Sequence, residues 1–167
     1  MIPAQYHPLR SAAILYNPQE QKRYIMINNN LATTQRTLQL VGRALLGLYF
    51  IVPGITKITG FGEMSEYMAV HNVPFITVLL VLTIAIQIGG GLSLLAGYRV
   101  QLVAFVLAGL TLVISLFMHN FWAMEEGLQQ GHELQNFIKN MAIMAGLLYM
   151  AGVTPVANAP ANKHEQG

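Results

Sequence analysis

Seven polar side chains stand within or beside long apolar stretches of this sequence, where they could bind a ligand. They are Arg43, Lys57, Gln87, His119, Asn136, Lys139 and Asn140. Together they supply cations, an imidazole and amides, which are groups that hydrogen-bond an anionic or quinone-like head group. We therefore treat them as candidate binding residues and ask which elements position them.

Arg43 and Gln87 lie inside apolar stretches, where each needs a polar partner or a route to water. The long stem of Arg43 could carry its charge to the membrane surface. Alternatively, Arg43 could pair with Gln87 across a helix bundle. Gln87 could equally form an ordinary interhelical hydrogen bond or contribute to a site for a polar head group.

The other five candidates all stand at ends of apolar stretches. Lys57 and His119 each close one, while Asn136, Lys139 and Asn140 share one helix face at three- and four-residue spacing. The sequence predicts that these ends converge into one polar cluster. The alternative is that the lysines are interfacial anchors and that His119 belongs to an aromatic belt at the membrane surface.

Several kinds of chemistry find no support in the sequence. There is no cysteine, which excludes disulfides, thiolate metal sites and iron–sulfur clusters in this chain. His71, His119 and His132 match no metal-ligand spacing, so we expect no metal. No complete active site is recognisable, so whether this chain is an enzyme stays open. Basic residues are too sparse for a nucleic-acid partner.

The composition places the candidates in a membrane protein, because 54% of the residues are hydrophobic and only 10% are charged. Each of four apolar stretches approaches the roughly 20 residues that a helix needs to cross the bilayer. The sequence therefore predicts an all-α membrane protein, an antiparallel bundle of four transmembrane helices. The predicted spans are 38–58, 75–96, 100–118 and 137–153.

The segments outside the spans differ in character. Residues 1–36 are predicted to form a mobile cytoplasmic extension, 37–154 the four-span domain and 155–167 a cytoplasmic tail. Residues 60–74 suit a short surface helix, and an acidic loop is expected up to Gln135. Helix contact is the expected role of three small residues spaced by four, Gly89, Ser93 and Gly97.

The distribution of Lys and Arg predicts the orientation. One side of the membrane would carry Arg10, Lys22, Arg23, Arg36, Arg99 and Lys163, whereas the other would carry Lys57 and Lys139. Because basic residues favour the cytoplasmic side, both termini are predicted to lie in the cytoplasm of a bacterial inner-membrane protein. The surface helix and the acidic loop would then face the periplasm.

The sequence resembles the DoxX family of small four-span bacterial membrane proteins over about residues 40–153. The resemblance rests on Gly42-Arg43, Phe50, Gly54, Lys57, Gly60-Phe61, Tyr67, Pro74, the glycine triplet at 89–91, Gly97, the stretch 117–122, NFIKN at 136–140 and Gly146. At Gln87 the chain departs from the glutamate that many members carry. An amide cannot titrate, so proton transfer through that position is in doubt.

The resemblance implies an accessory subunit of a respiratory or quinone-linked oxidoreductase assembly, in which a quinone is the one cofactor to consider. The alternatives are a non-catalytic membrane scaffold that binds lipid or protein and, third, an oligomeric small-molecule transporter. Expected partners are membrane lipids and either a membrane protein complex or further copies of the chain.

Overall fold

The computed structural model describes residues 17–153, and this part of the chain is helical with no strands. Its α-helices are α1 (Pro18–Thr59), α2 (Phe61–Val70), α3 (Ile76–Ala96), α4 (Val100–Met118) and α5 (Leu128–Val153). One turn of 3₁₀ helix, Phe121–Ala123, lies between α4 and α5. The predicted tail, residues 155–167, lies outside the described residues.

Within residues 17–153, α1, α3, α5 and the segment formed by α4 with the 3₁₀ turn are long and apolar enough to cross a membrane. The predicted all-α class with four spanning helices is confirmed. The third span has the predicted bounds, and the second begins one residue late because Phe75 adopts a left-handed conformation as the N-cap of α3. The short helix predicted within residues 60–74 is α2.

Two helices begin earlier than predicted. Helix α1 begins at Pro18, where the Asn17 side chain accepts a hydrogen bond from the backbone N–H of Gln19 (3.0 Å). An Asn N-cap followed by Pro at the first helical position is a strong start signal. Residues 18–36 are therefore helical, while the mobility predicted for residues 1–36 stays a prediction. Helix α5 begins at Leu128, so the predicted acidic loop is shorter than expected.

The chain divides into two compact units, residues 1–42 and residues 43–167, and α1 contributes to both. In the second unit, α1 packs against α3 with Gly47 beside Gly91 and Gly54 beside Gln87. Because the residue numbers rise on one helix and fall on the other, these two helices are antiparallel. The short connections from α3 to α4 and from α4 to α5 reverse the direction twice more.

An apolar core holds the second unit together. Its buried members come from four helices, and half of them lie on α4. They are Phe50, Leu94, Val100, Ala104, Leu107, Ala108, Leu147 and Ala151. Most other apolar side chains on these helices are exposed, as expected for helices that face lipid.

Candidate functional site

A buried carboxylate, Glu133, lies at the end of the bundle where α4 meets α5. Only 7% of Glu133 is exposed, and its Oε2 lies 2.7 Å from Nδ1 of His119. His119 follows the last residue of α4, and the 3₁₀ turn brings the chain back so that the second turn of α5 faces it. The fold therefore pairs two residues that are fourteen positions apart.

Amides on α5 also bind this carboxylate. Gln129 donates to Oε1 of Glu133 at 3.3 Å and Asn136 donates to Oε2 at 3.5 Å, while Nζ of Lys139 donates to Oδ1 of Asn136 at 3.0 Å. We call His119, Gln129, Glu133, Asn136 and Lys139 the junction cluster. A buried carboxylate is costly unless hydrogen bonds compensate it, and this cluster supplies them.

The short helix α2 adds a titratable group beside the cluster. Burial raises the pKa of the Tyr67 hydroxyl, and the negative charge of Glu133 raises it further. The Tyr67 ring packs against the His71 ring with 4.4 Å between the centroids, and Nδ1 of His71 lies 2.9 Å from the Tyr67 carbonyl oxygen. Helix α2 therefore brings a phenol within electrostatic reach of the carboxylate.

Three aromatic rings pack together beside the junction cluster. Phe121, Trp122 and Phe137 contact one another edge to face, with centroid separations of 5.1, 5.6 and 5.8 Å. Two of them lie in the 3₁₀ turn that follows His119, and Phe137 follows Asn136 on α5. Such rings provide an apolar, planar surface next to the polar groups.

Asn140 stands one turn further along α5 from Asn136 and is 6% exposed. Its Oδ1 accepts a hydrogen bond from the Tyr49 hydroxyl of α1 at 3.1 Å. Three of the predicted residues, His119, Asn136 and Lys139, thus belong to one cluster, and Asn140 extends the polar face of α5 towards α1. The structure brings His119, Asn136 and Lys139 together through Glu133, whereas Asn140 bonds Tyr49 instead.

Lys57 is not hydrogen-bonded to the junction cluster. Its Nζ donates to the carbonyl oxygen of Pro53 in its own helix at 3.4 Å. Half-buried Lys57 continues the stripe of buried residues Gly47, Phe50 and Gly54 along α1. It belongs to the same end of the bundle, since α1 ends there at Thr59.

Arg43 and Gln87 do not pair, so the interpretation that joined them across the bundle is wrong. The Arg43 guanidinium packs against Gly97 at the C-terminus of α3, whereas Gln87 lies beside Gly54. Arg43 and Gly54 are eleven residues apart on α1, which corresponds to about 16 Å along a helix. Within residues 17–153, neither Nε of Arg43 nor Oε1 of Gln87 has a hydrogen-bond partner, and both atoms are buried.

The structure also differs from the expectation that Gly89, Ser93 and Gly97 all make close contacts with a neighbouring helix. Space is open around Gly89, and Ser93 donates its hydroxyl hydrogen bond to the Gly89 carbonyl (2.7 Å) in its own helix. Gly91 instead packs closely against α1. It lies on the same helix but is not one of the three residues that the four-residue spacing had selected. Gly97 does make a close contact, with Arg43.

Two further features of the described residues limit the chemistry. No group of three His, Asp or Glu side chains between residues 17 and 153 is placed to hold a metal ion. A shallow groove of about 470 Å³ lies between α4 and α5 at the other end of the bundle, away from the junction cluster. Its lining is mostly apolar and comprises Gln101, Leu102, Phe105, Leu148, Ala151 and Gly152.

Comparison with known proteins agrees with this architecture. The DoxX family profile matches residues 38–120. The chain is 35% identical to Inner membrane protein YqjF of Escherichia coli (strain K12) over 118 residues, which are 71% of this chain and 85% of that protein. This chain belongs to the DoxX family. It is also 27% identical over 120 residues to Inner membrane protein YphA of the same organism, covering 72% of this chain and 85% of YphA.

Membership in the DoxX family and the four apolar helices together make this a multi-pass inner-membrane protein. No solved structure matches the chain. The family profile ends at residue 120, whereas most of the junction cluster lies on α5. The matched segment therefore includes His119 but not the other members of the cluster.

Glu133 is the site residue that sequence reasoning missed, because we assigned it to a loop. A signal was present: Gln129, Glu133, Asn136 and Asn140 follow one another at spacings of four, three and four, which places them on one helix face. That face is polar, so its helical periodicity did not stand out as an apolar stripe. Gln87 is a buried amide, and the buried acid of the described bundle is Glu133.

Proposed function

We propose that this DoxX-family protein is an accessory subunit of a membrane oxidoreductase assembly and that its junction cluster binds the head group of a quinone. The observation that carries the proposal is the Glu133–His119 pair, in which a buried carboxylate meets a partly exposed imidazole at the end of the bundle. Ionisable residues at such positions are costly and commonly mark ligand or proton pathways.

The side chains available at the junction fit a quinone head group. Lys139 and Asn136 carry N–H donors suited to a carbonyl oxygen. Phe121, Trp122 and Phe137 offer ring surfaces to a planar ligand. When bound, a quinone carries electrons and protons between membrane enzymes; in this proposal the electron-transferring centres belong to the partner.

An accessory subunit also needs a surface for its partner. Gly89, Gly109 and Gly146 lie on three different helices with open space around each. Small residues let a neighbouring helix approach closely. These positions are therefore suited to contact with helices of another membrane protein.

A second candidate function is a non-catalytic scaffold that binds lipid. The shallow apolar groove between α4 and α5, with a volume of about 470 Å³, favours it because an acyl chain would fit there. The two candidate functions use opposite ends of the bundle. A substitution at one end therefore tests one function and leaves the site of the other unchanged.

The test is native mass spectrometry of the protein extracted from its own membranes in mild detergent. We expect a stoichiometric redox enzyme and bound quinone, and we expect Lys139→Gln to lose most of the quinone. The matched control is His132→Gln, an exposed position next to Glu133, which should retain it. If only phospholipid accompanies the chain, the accessory-subunit proposal is wrong and the scaffold is favoured.

A further inference from the structure

We propose that His119, oriented by Glu133, accepts a hydrogen bond from the hydroxyl of a hydroquinone, so that the junction cluster binds the reduced form of a quinone in preference to the oxidised form. This inference rests on the proposed function, because it names the redox state that the same site selects. It concerns binding alone and involves no electron transfer within this chain.

The first step of the argument is the tautomer of His119. An ionised carboxylate can only accept hydrogen bonds, so when Glu133 is ionised its 2.7 Å contact with His119 places the hydrogen on Nδ1 of the imidazole. Glu133 is held in place by two amide donors, Gln129 and Asn136. The neutral imidazole therefore carries its lone pair on Nε2.

The second step is that Nε2 of His119 is free to bind a ligand. It makes no hydrogen bond to any residue between 17 and 153 and is not among the fully buried polar atoms of that segment. The His119 side chain is 19% exposed. A ligand that reaches the junction can therefore contact this nitrogen without displacing a protein group.

The third step is the difference between the two redox forms of the ligand. A hydroquinone has hydroxyl groups that can donate to Nε2, whereas a quinone has only carbonyl oxygens that accept. Two acceptors facing each other leave both unsatisfied. One hydrogen bond made by one form and lost by the other corresponds to about tenfold in affinity.

The other polar groups of the site do not favour the oxidised form of the ligand, the quinone. Lys139 and Asn136 donate to oxygen, and both a carbonyl and a hydroxyl oxygen can accept. Tyr67, on α2, can donate or accept through its hydroxyl. The preference for the reduced form therefore depends on His119, which makes it a specificity-determining residue.

The experiment measures equilibrium binding of tritiated decyl-ubiquinol and decyl-ubiquinone to the full chain in lipid nanodiscs, with empty nanodiscs subtracted. It is carried out without oxygen at mildly alkaline pH, where imidazole is in general uncharged. We expect the wild type to bind the quinol about tenfold more tightly than the quinone. The dimethyl ether of the quinol, which has no donor, should bind no more tightly than the quinone.

His119→Phe keeps an aromatic ring but removes Nε2, so it should abolish the preference: the variant should bind the quinol and the quinone with equal affinity. His132→Phe, at the exposed neighbour of Glu133, should keep the preference. Equal wild-type affinity for the two forms would overturn this inference and leave the quinone site of the proposed function standing. Absence of binding of either form would overturn both, and a preference that survives His119→Phe would overturn the role of His119.

Discussion

At the scale of single residues, Arg43 illustrates how a charge is accommodated inside an apolar helix. Its guanidinium packs on Gly97, which ends α3 in a left-handed conformation with φ of 74°. The C-terminus of a helix carries partial negative charge from its free carbonyl groups, which stabilises a nearby cation. Gly97 has no side chain, and the guanidinium fills the space a side chain would need.

We therefore predict that Gly97→Ala destabilises the protein. The added Cβ would lie 2.9 Å from Nη2 of Arg43, and the left-handed conformation alone costs a non-glycine residue about 1–2 kcal/mol. The measurement is thermal unfolding in detergent. Gly109→Ala, where space is open, is the matched control and should not lower the midpoint. Equal midpoints for the two variants would contradict the prediction.

Tyr67 gives a prediction about pH. Its pKa is raised in the folded protein, first by burial and then by the charge of Glu133. A raised folded pKa contributes stability that is present below the unfolded value, about 10, and is lost as the pH rises through the folded value. We expect stability to fall at strongly alkaline pH, and less so in Tyr67→Phe.

Absorbance of tyrosinate, with Tyr67→Phe subtracted from wild type, measures the titration directly. Glu133→Gln should lower the pKa of Tyr67 only part of the way towards the ordinary value, because burial is the larger cause. An unchanged pKa in Glu133→Gln would show that the two groups do not interact.

At the scale of helices, the packing of α1 on α3 depends on two glycines whose backbones nearly touch. A Cβ on Gly91 would lie 2.6 Å from the Gly47 carbonyl oxygen, and one on Gly47 would lie 2.8 Å from the Gly91 carbonyl oxygen. The obstructing atoms belong to the backbone, so they cannot move aside without separating the helices. This contact fixes the distance between α1 and α3.

We predict a graded response along the glycine triplet. Gly91→Ala should destabilise by about 1–3 kcal/mol through overpacking. Gly90→Ala should cost less, because its Cβ would meet only the flexible Leu107 side chain at 2.9 Å, and Gly89→Ala should be tolerated. Thermal unfolding of the three variants in one detergent is the measurement. A loss at Gly89 equal to that at Gly91 would refute the described packing of α1 on α3.

At the scale of the whole molecule, the two ends of the membrane domain differ chemically. One end carries the cations Arg43 and Arg99, and the other carries α2, the junction cluster and the acidic residues Glu125 and Glu126. In the sequence, Lys22, Arg23, Arg36 and Arg99 outnumber Lys57 and Lys139, which predicts that the end bearing Arg99 faces the cytoplasm.

The absence of native cysteine makes the orientation directly testable. Glu126→Cys, at an exposed position between the 3₁₀ turn and α5, should react with a membrane-impermeant maleimide added to spheroplasts. Arg99→Cys, in the turn between α3 and α4, should react only after the membrane is permeabilised. The reverse pattern would show that the termini face the periplasm.

The sequence by itself determined the class, the number of spans and most of their bounds. An apolar segment long enough to cross the bilayer forms a helix there, because a helix satisfies its own backbone hydrogen bonds. Lys139 was correctly placed with Asn136, because that inference depends only on the local geometry of one helix.

Only the tertiary structure decided which polar groups meet. Arg43 and Gln87 are each predictable as residues in need of partners. Gln87, however, lies beside Gly54, which is about 16 Å further along α1 than Arg43. Conversely, Glu133 contacts His119 because the 3₁₀ turn reverses the chain direction between them. No local sequence pattern predicts that contact. A sequence shows which polar groups stand inside apolar stretches, whereas their pairing depends on helix register and packing, which are properties of the assembled bundle.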